Sequence, residues 1–455
     1  MAPGPQQTAA LLASTLASFI TPFLGSALNI ALPELAREFR LGAVMLSWMA
    51  SAYLLPAAVF LVPLGRLADI WGRKKLFFSG TVMVASASLL AAASPSVFWL
   101  LAARVMQGIG SAMIFATSVP ILISAYPPHE RGRILGINTA AVYLGLSLGP
   151  VAGGFLVSRW GWRSIFLVVL PLCLALLVPW RRLAQDRTEA HGERFDFGGS
   201  LIYSLALVAV MAGFSLLPAL WAGGLIVVGM LALGCFVRWE ERIEHPVFHV
   251  DLLRNNRVFA YSNLAAMVNY SATAAVAFLL SLYLQQIRGL TPQAAGMILL
   301  VQPVVQALFS PLAGRLSDRI EPRQVASGGM AITVGGLILL TFLRSGTPLS
   351  FIVMNMALLG LGFAFFSSPN TNAVMSSVDK KFYGIGSATL GTMRLTGQMF
   401  SMGITALILA LQFGRGRIVP ASYLRFLGSM RTIFSICALL CVVGVFLSLA
   451  RGRMR

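Results

Sequence analysis

The stretch "GRLADIWGRKK", Gly65 to Lys75, carries five charged side chains in eleven residues, in a chain of which only 11% is charged. Some twenty mostly apolar residues precede it and another long apolar run follows. That alternation of long apolar run and short charged knot recurs along all 455 residues. Hydrophobic residues make up 57% of the chain and mean hydropathy is +0.81, above the roughly half-apolar usage of soluble domains. Apolar runs of about twenty residues match helices crossing some 30 Å of hydrocarbon. Weak period-two alternation argues against a transmembrane barrel, whose strands are about ten residues long. The reading is an all-α polytopic membrane protein.

Hydropathy, with Gly, Pro and charge as punctuation, predicts fourteen spans. They fall at 8–33, 44–68, 76–94, 97–123, 134–157, 163–180, 197–217, 219–237, 257–286, 293–316, 324–343, 349–376, 384–411 and 430–450. The first apolar run, Thr8 to Leu32, is too long for the apolar core of a signal peptide and follows no charged segment, so it is read as a retained helix. An even number of spans puts both termini on one side, and more than half of the 34 Lys and Arg fall in loops on that side, which predicts cytoplasmic termini in a multi-pass cell-membrane protein. The net charge of +19 is scattered through these loops, which argues against a nucleic-acid partner. Cys173, Cys235, Cys437 and Cys441 lie in apolar segments without zinc-type spacing, so neither a metal nor a cofactor is expected. The chain lacks a G-x-x-x-x-G-K-[ST] loop and any nucleophile–base–metal set at membrane depth, which excludes an ATP-driven pump or an enzyme.

"GRLSDRI", Gly314 to Ile320, repeats "GRLADIW" at an offset of 249 residues, and each copy ends the second span of its half. "GIGSATLGTMRLTG" (384–397) echoes "GINTAAVYLGLSLG" (136–149). Two duplicated six-helix bundles follow, at 1–180 and 257–455, separated by an insert at 181–256 with two extra helices.

This arrangement resembles the major facilitator superfamily, and its fourteen spans are similar to those of the drug:proton antiporter group. Gly65, Asp69, Gly72 and Arg73 match the family's signature between the second and third helices, with Asp318 in the second copy. The resemblance implies that this cluster latches the halves on the cytoplasmic side. Asp69 and Arg73, four residues apart, are close enough to pair if the helix continues that far. Positive-inside anchoring accounts for the basic residues but not for Asp69. Ile70, and Glu321 with Pro322 in the second copy, depart from the signature. "GLSLGPVAGG" matches the fifth-helix antiporter signature through Gly145, Gly149, Pro150, Gly153 and Gly154, giving a smooth face and a kink. "LLAARVMQGIGSAMI" resembles the fourth-helix signature. Its Arg104, with Gln107 and Ser111 on the same face, implies a role in proton coupling or in organising polar groups.

In "FLGSALNIALPEL", Phe23 to Leu35, Leu24 stands where the family pattern has an intramembrane Asp, and none of the 15 acidic residues lies securely inside a span. A cavity of arginines, amides and apolar groups suits a neutral or anionic amphiphile better than a quaternary cation. Candidate cavity residues are Tyr53, Tyr143, Asn269, Tyr270, Gln302, Gln306, Phe366, Arg394 and Gln398. The expected function is secondary active export of a small hydrophobic or amphipathic molecule by a monomer in contact with membrane lipid. The resemblance implies protons as the coupling ion. Facilitated movement of an anionic solute or lipid is the alternative, and a non-transporting sensor or assembly partner is a third reading.

Overall fold

A computed structural model describes residues 4–127, 130–183, 193–217, 219–243, 246–248, 250–378, 383–414 and 416–452, and among these all regular structure is helical. The first group comprises α1 (Pro5–Glu38), α2 (Ala43–Trp71), α3 (Arg73–Ala92), α4 (Val97–Ala125), α5 (Arg131–Trp160), α6 (Arg163–Leu167) and α7 (Val169–Arg182). Next come α8 (Phe197–Leu216), α9 (Leu220–Glu240) and the short α10 (Val250–Asn255). The second group is α11 (Arg257–Leu282), α12 (Pro292–Arg319), α13 (Pro322–Leu340), α14 (Leu349–Ser376), α15 (Tyr383–Phe413) and α16 (Tyr423–Ala450). Fourteen helical segments among the described residues are long and apolar enough to cross a membrane, in agreement with the hydropathy reading.

Local chemistry explains where these helices begin and break. Pro292 opens α12 behind Thr291, whose hydroxyl accepts the Ala294 N–H at 3.2 Å. Asp196 caps α8 through the Gly199 N–H at 2.9 Å, and Asn256 caps α11 through Phe259 at the same distance. The predicted sixth span is interrupted at Val168, because Pro171 has no N–H for the Leu167 carbonyl four residues back. The ninth span runs past Leu282 through a π-helical turn, Tyr283–Ile287. Helix α2 stops at Trp71 because Gly72 takes φ +115°, backbone that favours glycine.

Within the first group α1 packs on α5, α2 on α4, and α3 on α4 and α7. Within the second, α11 packs on α15 and α16, α12 on α14, and α13 on α14 and α16. Two close crossings recur in both. Gly108 abuts the Tyr53 carbonyl as Gly360 abuts that of Gln302, while Gly80 faces Gly110 as Gly329 faces Gly362. The tight α2–α4 and α3–α4 crossings therefore reappear as α12–α14 and α13–α14. The inserted α8 lies across α2 and α15, with the Tyr203 hydroxyl donating to the Ala58 carbonyl at 3.3 Å. Helix α9 packs on α8 and exposes Val227, Val228 and Leu231.

The two groups meet along α5–α12 and α2–α15. At the end of the bundle away from Asp69, a Cβ added to Gly154 would lie 2.6 Å from the Pro292 carbonyl oxygen of α12, and one added to Gly296 would collide with the Pro150 carbonyl of α5. Ser281 and Gln285 donate to the α1 carbonyls of Asn29 and Ile30, and the Ala43 N–H donates to Gly416. This is the sealed end. Gly149 serves the first group alone, since a Cβ there would collide with Ser26 of α1.

Gly149→Leu should lower the melting temperature, with overpacking costing about 1–3 kcal/mol. Gly296→Leu should leave each group folded while holding the far ends of α5 and α12 about 2 Å further apart. Thermal unfolding, together with the distance between spin labels at Ser158 and Met297, checks the contrast. An unchanged label distance would reject the crossing as the seal.

Candidate functional site

Three interior arginines organise the polar chemistry of the bundle. Arg104 on α4 is 1% exposed. Its Nη1 donates to Gln107 Oε1 at 2.8 Å, Gln107 Nε2 donates to Ser88 Oγ at 2.8 Å, and the guanidinium carbon lies 4.5 Å from the Tyr53 ring centroid. The Tyr53 hydroxyl bonds Ser111 Oγ at 3.1 Å and the Thr21 carbonyl at 3.2 Å. The i, i+3 and i+7 spacing of Arg104, Gln107 and Ser111 thus places all three in one network. Tyr53 belongs to this enclosed network inside the first group, not to the face between the groups.

A second cluster lies between the two groups. Tyr143 on α5 sits about 18 Å from the helix start and about 26 Å from its end. Its hydroxyl meets Ser367 Oγ of α14 at 2.9 Å, a hydrogen bond between the groups at mid-depth. Tyr270, Gln306 and Arg394, from α11, α12 and α15, surround that hydroxyl. Arg394 Nη2 donates to Thr371 Oγ1 at 2.9 Å, and its guanidinium carbon lies 5.6 Å from the Tyr270 ring centroid. Tyr270 in turn meets Phe363 edge-on, with ring centroids 5.6 Å apart. Four of the predicted cavity residues, Tyr143, Tyr270, Gln306 and Arg394, therefore converge. Gln302 and Gln398 are half-buried on α12 and α15.

Two other candidates point elsewhere. Asn269 is fully buried, and its Oδ1 lies 4.0 Å from Cys441 Sγ of α16, because its face of α11 packs into the second group. Phe366 is 1% exposed in the core of that group, where α13 and α14 cross at Gly329. A cavity of about 450 Å³ between α12, α13 and α14, lined by Val305, Phe309, Leu339, Met354, Leu358 and Leu361 among others, lies at the periphery and apart from the Arg394 cluster.

At the Asp69 end, the helix does not continue to Arg73 as the pairing argument supposed. The chain breaks at Gly72, yet Arg73 Nε and Nη2 reach Asp69 Oδ1 at 2.9 and 2.8 Å. Arg66 pairs with Glu193 in the segment leading to α8. The Arg73–Asp69 and Arg66–Glu193 pairs lie within the first group and its linker. Asp318 falls in the last turn of α12, and its side chain lies outside the described residues.

Sequence reasoning missed Arg451, counting it only as a loop cation. It is buried at the end of α16, donating to the Ser448 carbonyl and hydroxyl, Ser262 Oγ and Asn370 Oδ1. Burial, followed by nearby Arg323, pulls its pKa down to about 10 against the opposing pull of Glu321, which leaves it charged at neutral pH. Ser367 and Thr371 were also missed, since isolated hydroxyls in an apolar run carry no distinguishing signal.

The sequence matches the profile of the Major Facilitator Superfamily over residues 14–237 and 263–453. It is 29% identical over 381 residues to the riboflavin transporter RibZ of Clostridioides difficile (strain 630), covering 83% of this chain and 82% of that one. It is 30% identical over 410 residues to the multidrug resistance protein Stp of Mycobacterium tuberculosis (strain CDC 1551 / Oshkosh), covering 89% and 76%. The crystal structure of a bacterial homologue of the human lysosomal transporter Spinster, inward-facing and unoccupied, aligns with a TM-score of 0.69 at 16% identity, over 98% of this chain and 97% of that one. Together with the two packed groups and the fourteen apolar helices, these matches mean that the chain belongs to the Major Facilitator Superfamily.

Proposed function

We propose that the chain is a secondary active transporter of the cell membrane that exports small hydrophobic or amphipathic molecules by alternating access. One observation carries this reading. The described hydrogen bonds between the two groups gather at one end of the bundle, apart from the Tyr143–Ser367 bond, which lies at mid-depth inside a polar cluster drawn from both groups. A site on a seam sealed at one end is what rocking of two bundles about a central ligand requires. Basic loops support a cytoplasmic Asp69 end, and on that reading the sealed end faces outward. Relatives named for multidrug resistance and for riboflavin transport support a small-molecule cargo.

Protons are the proposed coupling ion, with Glu34 as the carboxylate. Leu24 is fully buried in the apolar core of the first group, and the described acidic residues stand at helix ends or in loops. Glu34, one turn before the end of α1, lines a cavity on the outward seam with Arg37, Val157, Ser158 and Pro292. Its Oε2 is buried without a hydrogen-bond partner. Opening of that seam exposes the carboxyl to external protons. Facilitated movement without antiport is the second reading, favoured by the apolar Leu24.

In proteoliposomes, an imposed pH gradient should accelerate substrate flux several-fold, and Glu34→Gln should abolish the acceleration while retaining flux down the substrate's own gradient. Wild-type flux indifferent to the gradient would leave facilitation. Asp69→Asn removes the negative charge of the Arg73 pair while keeping an acceptor oxygen, and should slow turnover about tenfold with little change in melting temperature, since partly exposed pairs contribute about 0–1 kcal/mol. Initial-rate measurements alongside thermal unfolding check this.

A further inference from the structure

Resting on the transport reading, we infer that the cluster around Arg394 is an oxyanion site, selecting cargo that joins an aromatic or apolar body to a carboxylate, sulfonate or phosphate group. The argument begins with unbalanced charge. Arg394 Nε is buried without a hydrogen-bond partner, and among the described residues the one side-chain acceptor of this guanidinium is Thr371. The Thr371 hydroxyl donates to the Ser367 carbonyl at 2.8 Å, so it offers Arg394 only a lone pair. No described ion pair involves Arg394. A guanidinium at membrane depth with neutral partners is costly, and an incoming anion that fills its free donors recovers part of that cost.

The other two interior arginines are closed to a ligand. Arg104 shares an unpartnered Nε but is 1% exposed, enclosed within one group under the Tyr53 ring, and Arg451 is buried and already donates to three side chains and a carbonyl. Arg394 is half-buried on the seam, where a ligand can reach it. The Tyr143 hydroxyl arrives beside it from the opposite group, in a neutral bond to Ser367 that an anion can replace with a charge-assisted one. An oxyanion held by Arg394 and Tyr143 would tie the two groups together through the cargo itself. Tyr270 and Phe363 supply an aromatic wall next to the charged end. A cation here would meet Arg394 with no carboxylate among the described residues to receive it.

Two probes of one skeleton separate charge from hydrophobicity: anilinonaphthalene sulfonate and its uncharged parent, phenylnaphthylamine. Binding is read by equilibrium dialysis of the purified full chain, and flux in proteoliposomes against protein-free controls. Arg394→Gln should weaken sulfonate binding about tenfold or more and leave the uncharged probe within about twofold of wild type. Arg394→Lys should recover part of the loss, since it keeps the charge but not the planar fork. A loss shared equally by both probes, or unaltered sulfonate binding, would overturn the site. Arg394-dependent binding without wild-type flux would refute the transport reading and leave the anion site standing.

Discussion

The structure depends on how closely α5 approaches two neighbours at once. On one side its glycine stripe lets α1 pack at backbone distance, with Gly149 against Ser26; on the other, Gly154 and the Pro150 carbonyl meet Pro292 and Gly296 of α12. Between membrane helices there is no hydrophobic gain from leaving lipid, so dispersion between surfaces in contact must supply the attraction. Small residues are the means of reaching that contact. One helix thus builds the first group, closes the seam to the second, and carries Tyr143 into the site between them.

The two helix groups share close crossings but not their chemistry. Aligning Gly108 with Gly360 places Met356 where the first group has Arg104, Leu359 where it has Gln107, and Phe363 where it has Ser111. All three replacements are buried apolar residues. Backbone contacts at the glycines survive this exchange because they do not depend on the neighbouring side chains. Polar function in the second group lies instead on α11, α12 and α15, through Tyr270, Gln306 and Arg394. A fold that repeats and a polarity that does not leave the seam asymmetric, with an enclosed arginine network on one side and an accessible one on the other.

The membrane helices were legible because they rest on long-range averages of run length and charge punctuation. The break at Gly72 was less so. Spacing alone predicts the Asp69–Arg73 pair, but a pair four residues apart looks the same whether the helix runs on or turns sharply at a positive φ. For the candidate site, membrane depth was readable while helix rotation was not. Tyr143 and Arg394 turn to the seam, whereas Asn269, one residue before Tyr270, turns into the bundle. In a helix apolar on every side, hydropathy has too little periodicity to separate faces 100° apart. The hydroxyls of Ser367 and Thr371 become informative only once Tyr143 and Arg394 are seen to reach them.

The two ends of the seam are built from different forces, and this bears on how the molecule can alternate. The sealed end combines a main-chain contact of glycine and proline with hydrogen bonds to main-chain carbonyls, short-ranged attractions on which ionic strength has little hold. The Asp69 end carries ion pairs, Arg73 with Asp69 and Arg66 with Glu193 among them. Charges in the aqueous boundary act over roughly a Debye length of 8 Å. Separation at the packed end is therefore abrupt, while approach at the charged end is gradual and guided. A cargo held by Arg394 and Tyr143, as proposed, would lie between the two and draw the groups together at mid-depth, where neither packing nor loop charge acts.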